Sequence, residues 1–212
     1  MEQESDVHII TKSAEDLMNK KVCIFASSSG KVEKIYFEAA ATLGRLLAES
    51  GYNIVYGGSS LGLMWACAGE AKKSGAKVYG VMPERLYNLG VSTDECVELT
   101  VTPCMRTRKA KMDEISDAVV ALPGGFGTLE ELSEMIVQKQ LGYNNKPVVI
   151  LNTAGFYDKL IEFFEVIINE NFGRSHNRDI YYVAKTPFDA VQYLKNYKPA
   201  TFSLSKDEIY VK

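Results

Sequence analysis

Hydrophobic and polar positions along the chain alternate between short apolar runs and longer stretches with helical spacing. Residues 21–27, KVCIFAS, form an apolar run of buried-strand type, closed by Ser28, Ser29 and Gly30. From Val32 to Ser50 apolar residues recur at Ile35, Ala39, Leu43, Leu46 and Leu47, which predicts a helix ended by Gly51. Further strands are predicted over residues 53–58, 77–82, 96–101, 117–125, 147–151 and 180–184. Helices are predicted over 61–74, 105–116, 128–141, 156–171 and 187–197, and 84–95 reads as a loop. Residues 1–20 read as a polar N-terminal extension with a short helix around Ala14–Met18, and 199–212 as a tail without an assignment.

Strands alternating with helices predict a single Rossmann-like α/β domain over residues 21–198. Its sheet is mostly parallel, with helices on both faces. Ligands in such folds sit beyond the carboxyl ends of the strands. Chain order therefore brings three loops to one rim: Ser27–Gly30, Gly57–Ser60 and Pro123–Thr128.

Composition narrows the chemistry. A length of 212 residues suits one domain with a real core, and 46% apolar with 24% charged residues excludes disorder. Lys+Arg 24 against Asp+Glu 27 gives a net charge of −3, so no overall basic footprint for a nucleic-acid polymer or a membrane surface is expected. The polar N-terminus carries no secretory pattern and no apolar run approaches the ~18 residues of a membrane span. A cytoplasmic location is the expectation. Cys23, Cys67, Cys96 and Cys104 lack any C-x-x-C spacing and read as small buried thiols, as Met64, Trp65, Phe163 and Phe164 read as core. The only histidines are His8 and His176, too few for a histidine metal cluster or a Ser-His-Asp triad. No metal or cofactor is expected; carboxylates, arginine, lysine and backbone amides must carry any reaction.

Pro123-Gly124-Gly125-Phe126-Gly127-Thr128-Leu129-Glu130-Glu131 lies between a predicted strand and helix. Its glycines let backbone amides approach an anion beside the positive end of the helix dipole. The dinucleotide fingerprint fails, because Glu130 stands where its last small residue is required. The structural alternative is a capping box, with Thr128 as N-cap and Glu131 reaching back to its amide. A second glycine turn, Tyr56 to Gly62, and the Ser27–Gly30 loop are equally open to a structural reading.

The basic run Met105 to Met112 looks like a solvated face, but helical phase singles out one residue. At ~100° per residue Arg108 falls between Met112 and Ile115 on the apolar stripe, whereas Arg106 points away. A guanidinium on a buried stripe needs an anion or a carboxylate. Lys109 flanks the stripe, and Lys111 is read as solvated.

VYGGSSLGLM, MRTRKAKM and LPGGFGTLEEL, in this order and spacing, resemble the LOG ("Lonely guy") family of cytokinin riboside 5′-monophosphate phosphoribohydrolases, long mislabelled as lysine decarboxylases. The resemblance covers roughly Lys21 to Tyr197. It implies hydrolysis of the N-glycosidic bond of a nucleoside 5′-monophosphate, giving free base and ribose 5-phosphate. Arg108 and Glu131 would be the catalytic pair. Lys109, Gly124, Gly125, Phe126, Gly127, Thr128 and Glu130 would hold phosphate and ribose, with Gly58 and Ser27 from the other loops. It also implies a homodimer with the pocket near the subunit interface. Ala26, Arg106, Gly90 and Val137 depart from the family pattern around the substrate, which bears on base preference. The alternatives are a broader purine-monophosphate nucleosidase and a non-catalytic nucleotide sensor or carrier.

Overall fold

A computed structural model describes residues 19–199; the extension, with the helix expected around Ala14–Met18, and the tail from residue 200 lie outside the described residues. Seven strands, all parallel, form one sheet: β1 (Lys21–Phe25), β2 (Asn53–Tyr56), β3 (Val78–Pro83), β4 (Glu98–Thr102), β5 (Ala118–Ala121), β6 (Val148–Leu151) and β7 (Tyr182–Ala184). Their spatial order is β4-β3-β2-β1-β5-β6-β7, so the winding reverses between β1 and β5. Seven α-helices accompany them among the described residues: α1 (Lys34–Glu49), α2 (Gly62–Lys73), α3 (Glu84–Tyr87), α4 (Met105–Glu114), α5 (Phe126–Gln140), α6 (Asp158–Asn169) and α7 (Pro187–Asn196). α3 occupies part of the stretch expected to be loop.

The central strands are buried on both faces, which is why they read as unbroken apolar runs rather than as alternation. Val22 and Ile24 face a core shared with α1, α2 and α7. Cys23 and Phe25, one residue out of phase, face the second core with Met112 of α4, Leu132 of α5 and Tyr157. That period of two divides the helices into two layers.

α1 buries Ala40, Leu43, Gly44 and Leu47, a stripe of helical period. Ile35 lies outside that stripe and is 46% exposed, contrary to the periodicity drawn through it. Gly44 is the contact with α2: a methyl group there would sit 2.0 Å from the Cys67 carbonyl oxygen. α7 begins on Thr186, whose hydroxyl accepts from the Asp189 amide at 3.1 Å, followed by Pro187. Among the described residues no helix is long and apolar enough to cross a membrane.

Not all of the residues assigned to core or thiol burial are fully buried. Phe163 is 57% exposed on α6. Cys23 and Cys67 are buried, but Cys96 is half-buried and Cys104 is exposed as the residue preceding α4.

Candidate active site

The first and third predicted loops meet where the winding reverses, and the residues that follow the second, Gly62 and Leu63, pack on them. The Ser27 amide donates to the Pro123 carbonyl at 3.2 Å, and the Leu63 amide donates to the Ser27 carbonyl at 2.9 Å. Gly62, with φ of +59°, lets the start of α2 approach so closely that a side chain there would meet the backbone of Ser27 and Ser28. First and third loops also wall a cavity of about 190 Å³, bounded by Val32, Tyr36, Leu63, Gly124, Gly125 and Phe156. A larger cavity between α1 and α2, about 630 Å³, shares no residue with it.

Beside these loops lies a buried ion pair. Arg108 on α4 is 7% exposed and Glu131 on α5 is 8% exposed. Arg108 Nη1 donates to Glu131 Oε1 at 2.6 Å, and Arg108 Nε donates to the Val81 carbonyl at 3.0 Å. Gly57 closes over the guanidinium; a methyl group there would be 2.7 Å from Arg108 Nη2. Helical phase thus located the one arginine of the run that turns inward, while Arg106 stays exposed. Burial pushes the Glu131 carboxyl above the ordinary range, with the Arg108 guanidinium pulling in the opposite direction. Beneath the pair, the Cys23 thiol is pushed far up by burial and by the Glu131 charge, which keeps it a neutral packing group.

The glycine loop differs from its capping-box reading. α5 starts at Phe126, with Gly125 as an extended N-cap and no side chain capping the amides. Thr128 therefore lies inside the first turn. It is buried with its hydroxyl against Gly124, where a methyl group would come within 2.1 Å of Oγ1. Glu131 does not reach back, because the Arg108 guanidinium offers a charged partner that a backbone amide cannot match. Gly125, Phe126 and Gly127 are exposed on the rim, Phe126 at 92%. Underneath, the Tyr157 hydroxyl donates to the Leu122 carbonyl at 2.7 Å and steadies the base of the loop.

Of the remaining predicted residues, Ser27 stitches loops together and its hydroxyl accepts from the Ser29 amide at 3.0 Å. Gly58, with φ of +75°, packs against Gly80 and Leu99; Gly57, its neighbour, is the member of that loop that meets Arg108. Lys109 has a side chain only 15% exposed and bonds Glu130 and Glu134, the latter at 2.6 Å. Glu134 went unread in the sequence, although its four-residue spacing from Glu130 puts both on one helix face.

The fold is a doubly wound α/β sheet, and at its switch point, where folds of this kind take ligands, an uncapped helix start stands beside a buried arginine–carboxylate pair. The profile of a family described as possible lysine decarboxylase matches residues 64–194. A probable cytokinin riboside 5′-monophosphate phosphoribohydrolase from Oryza sativa subsp. japonica is 41% identical over 180 residues, 85% of this chain and 74% of that protein. A cytokinin riboside 5′-monophosphate phosphoribohydrolase from Arabidopsis thaliana is 38% identical over 180 residues, 85% and 79% of the two chains. The chain belongs to this family, the LOG family of the sequence resemblance. Among solved structures, the Moco carrier protein of Chlamydomonas reinhardtii superimposes with a TM-score of 0.64 at 24% identity, over 84% of this chain and 96% of that one. A molybdenum cofactor binding protein from Rippkaea orientalis gives 0.63 at 22% identity, over 84% and 94%. At such identities these two share the fold.

Proposed function

We propose that the protein is a hydrolase that cleaves the N-glycosidic bond of a nucleoside 5′-monophosphate, releasing free base and ribose 5-phosphate. The observation that carries this reading is the buried Arg108–Glu131 pair beside the uncapped start of α5. Relatives named for this reaction align over most of the chain.

Breaking a ribosyl C–N bond builds positive charge on the sugar, as in glycoside hydrolysis. Glu131, poorly solvated and held at a fixed distance from Arg108, gains most from a cation forming in front of it. It stabilises that charge and orients or deprotonates the attacking water. Arg108, fixed by Val81 and Glu131, holds ribose or phosphate and keeps the carboxylate in place. The amides at the start of α5 anchor the 5′-phosphate, with Gly124 to Gly127 leaving the approach open and Lys109 alongside. Binding of that remote phosphate orients the bond to be broken.

The base we assign is a cytokinin-type purine, after the names of the relatives; adenine alone is the competing choice. Lysine decarboxylation, the older family description, suits the residues poorly. Lys109 is bound up with two carboxylates, and the buried Lys139 lies by Tyr197 at the opposite end of α5. A homodimer in the cytoplasm completes the proposal. Val137 of α5, Phe164 and Ile167 of α6 and Phe172 line an apolar groove of about 220 Å³, where a second copy would pack. Sedimentation of the wild type and of Phe172→Asp tests it; a monomeric wild type overturns it.

Incubation with AMP, isopentenyl-AMP and other nucleoside monophosphates, followed by chromatography of base and ribose 5-phosphate, tests the activity. Equimolar release supports the hydrolase. Tight nucleotide binding without release across the panel would make the protein a sensor or carrier.

A further inference from the structure

α4 and α5 are joined by two neighbouring ionic links. The inner one is Arg108 to Glu131. The outer one, one residue along each helix, is Lys109 to Glu130 with Glu134 added one turn further on. Glu130 side-chain exposure is 58% and Glu134 exposure 37%, against 15% for Lys109. The lysine stem is thus covered while its ammonium sits between two carboxylates. Three N–H donors serve that ammonium, and two are taken. Burial draws the Lys109 pKa down, but the hydrogen bonds the ammonium donates to Glu130 and Glu134 outweigh it and hold it charged.

The two carboxylates are not equivalent. Glu130 is in the second turn's first position beside the loop amides, so a phosphate arriving there repels it and competes for Lys109. Glu134 lies four residues, ~6 Å, farther from those amides along the helix and can keep its bond. We propose that Glu134 is a positioning residue, anchoring Lys109 across the α4–α5 seam so that its ammonium meets the phosphorylated ligand as Glu130 is displaced. This rests on the nucleotide-monophosphate reading above.

Two measurements test it. In the first, amine acylation followed by peptide mass spectrometry compares Lys109 in the wild type and Glu134→Gln, with Lys111, bonded to Glu114, as the internal control. Lys109 should label about threefold faster or more in the variant, as loss of one charge-assisted bond frees the amine; an unchanged rate overturns the proposal. In the second, AMP hydrolysis and ribose 5-phosphate binding are measured for Glu134→Gln, Lys109→Ala and the double variant. KM and the ribose 5-phosphate Kd should each rise about tenfold, one hydrogen bond to a charged group, with kcat within about twofold. On Lys109→Ala the second substitution should add nothing. A purely structural role would instead lower kcat and Tm at constant KM, which would sink the proposal. A wild type that releases no base refutes the hydrolase reading, while labelling and ribose 5-phosphate binding still decide the role of Glu134.

Discussion

Replacing Arg108 by methionine keeps most of the side-chain volume and removes both of its hydrogen bonds. The Val81 carbonyl then loses its 3.0 Å donor and the Glu131 carboxylate its 2.6 Å partner. An orphaned buried acceptor costs ~1–3 kcal/mol, and breaking a buried pair ~3–5 kcal/mol. Glu131 can limit its own share by taking up a proton. Against a reference near 4.3 that costs ~4 kcal/mol near pH 7 but only ~1 kcal/mol near pH 5, at ~1.4 kcal/mol per unit. With the guanidinium gone, the carboxyl pKa in the folded state, already raised by burial, rises further. A raised folded-state pKa contributes stability that is present below the unfolded value and lost as pH rises through the folded one. Denaturant unfolding should therefore show Arg108→Met destabilised by ~4–5 kcal/mol near pH 7 and by about half that near pH 5. At ~2–4 °C per kcal/mol for a chain of this size, Tm should drop by roughly 10–20 °C at the higher pH. Adding Glu131→Gln should recover much of the loss, because no buried charge is then stranded. A loss of equal size at both pH values, or no recovery in the double variant, would refute the reasoning.

Other substitutions probe other parts of the site and fold. Gly57→Ala puts a methyl group 2.7 Å from Arg108 Nη2 and 3.1 Å from Met64 Sδ, so turnover should fall at least about tenfold, one hydrogen bond displaced, with a smaller change in Tm. Gly44→Ala should cost ~3 kcal/mol or more in urea unfolding, since the clash at 2.0 Å is with helix backbone that cannot rotate away. Lys139 is 1% exposed and held down to about 8 by burial. Its cost is present at neutral pH and relieved as pH rises through the folded value. Lys139→Met should flatten the rise in wild-type stability above that pH; parallel pH profiles for the two proteins would contradict it.

Much of the architecture is legible in the residues because its causes are local. Doubly buried strands announce themselves as apolar runs, and all seven were found within a few residues. Ile35 misled because a four-residue spacing from Ala39 fits two faces of a helix, and only the contact with α2 selects the one through Gly44. Strand order was beyond reach, since nothing in the chain distinguishes the crossover that reverses the winding before β5 from one that continues it. Arg108 was found by phase because burial of a charge is a one-residue anomaly. Thr128 and Glu131 matched a capping pattern that involves the same residue types, and the competition was decided by a guanidinium 23 residues away in sequence. Glu134 carries no anomaly of its own; it gains meaning only when α4 lies against α5.

The central assignment turns on Glu131. Wild type and Glu131→Gln should be given isopentenyl-AMP and AMP, with base and ribose 5-phosphate quantified and nucleotide binding followed by calorimetry. Equimolar release by the wild type, reduced by a factor of about 100 or more in the variant as expected for a lost general base with binding retained, is the predicted outcome. Near-normal turnover by Glu131→Gln would contradict it.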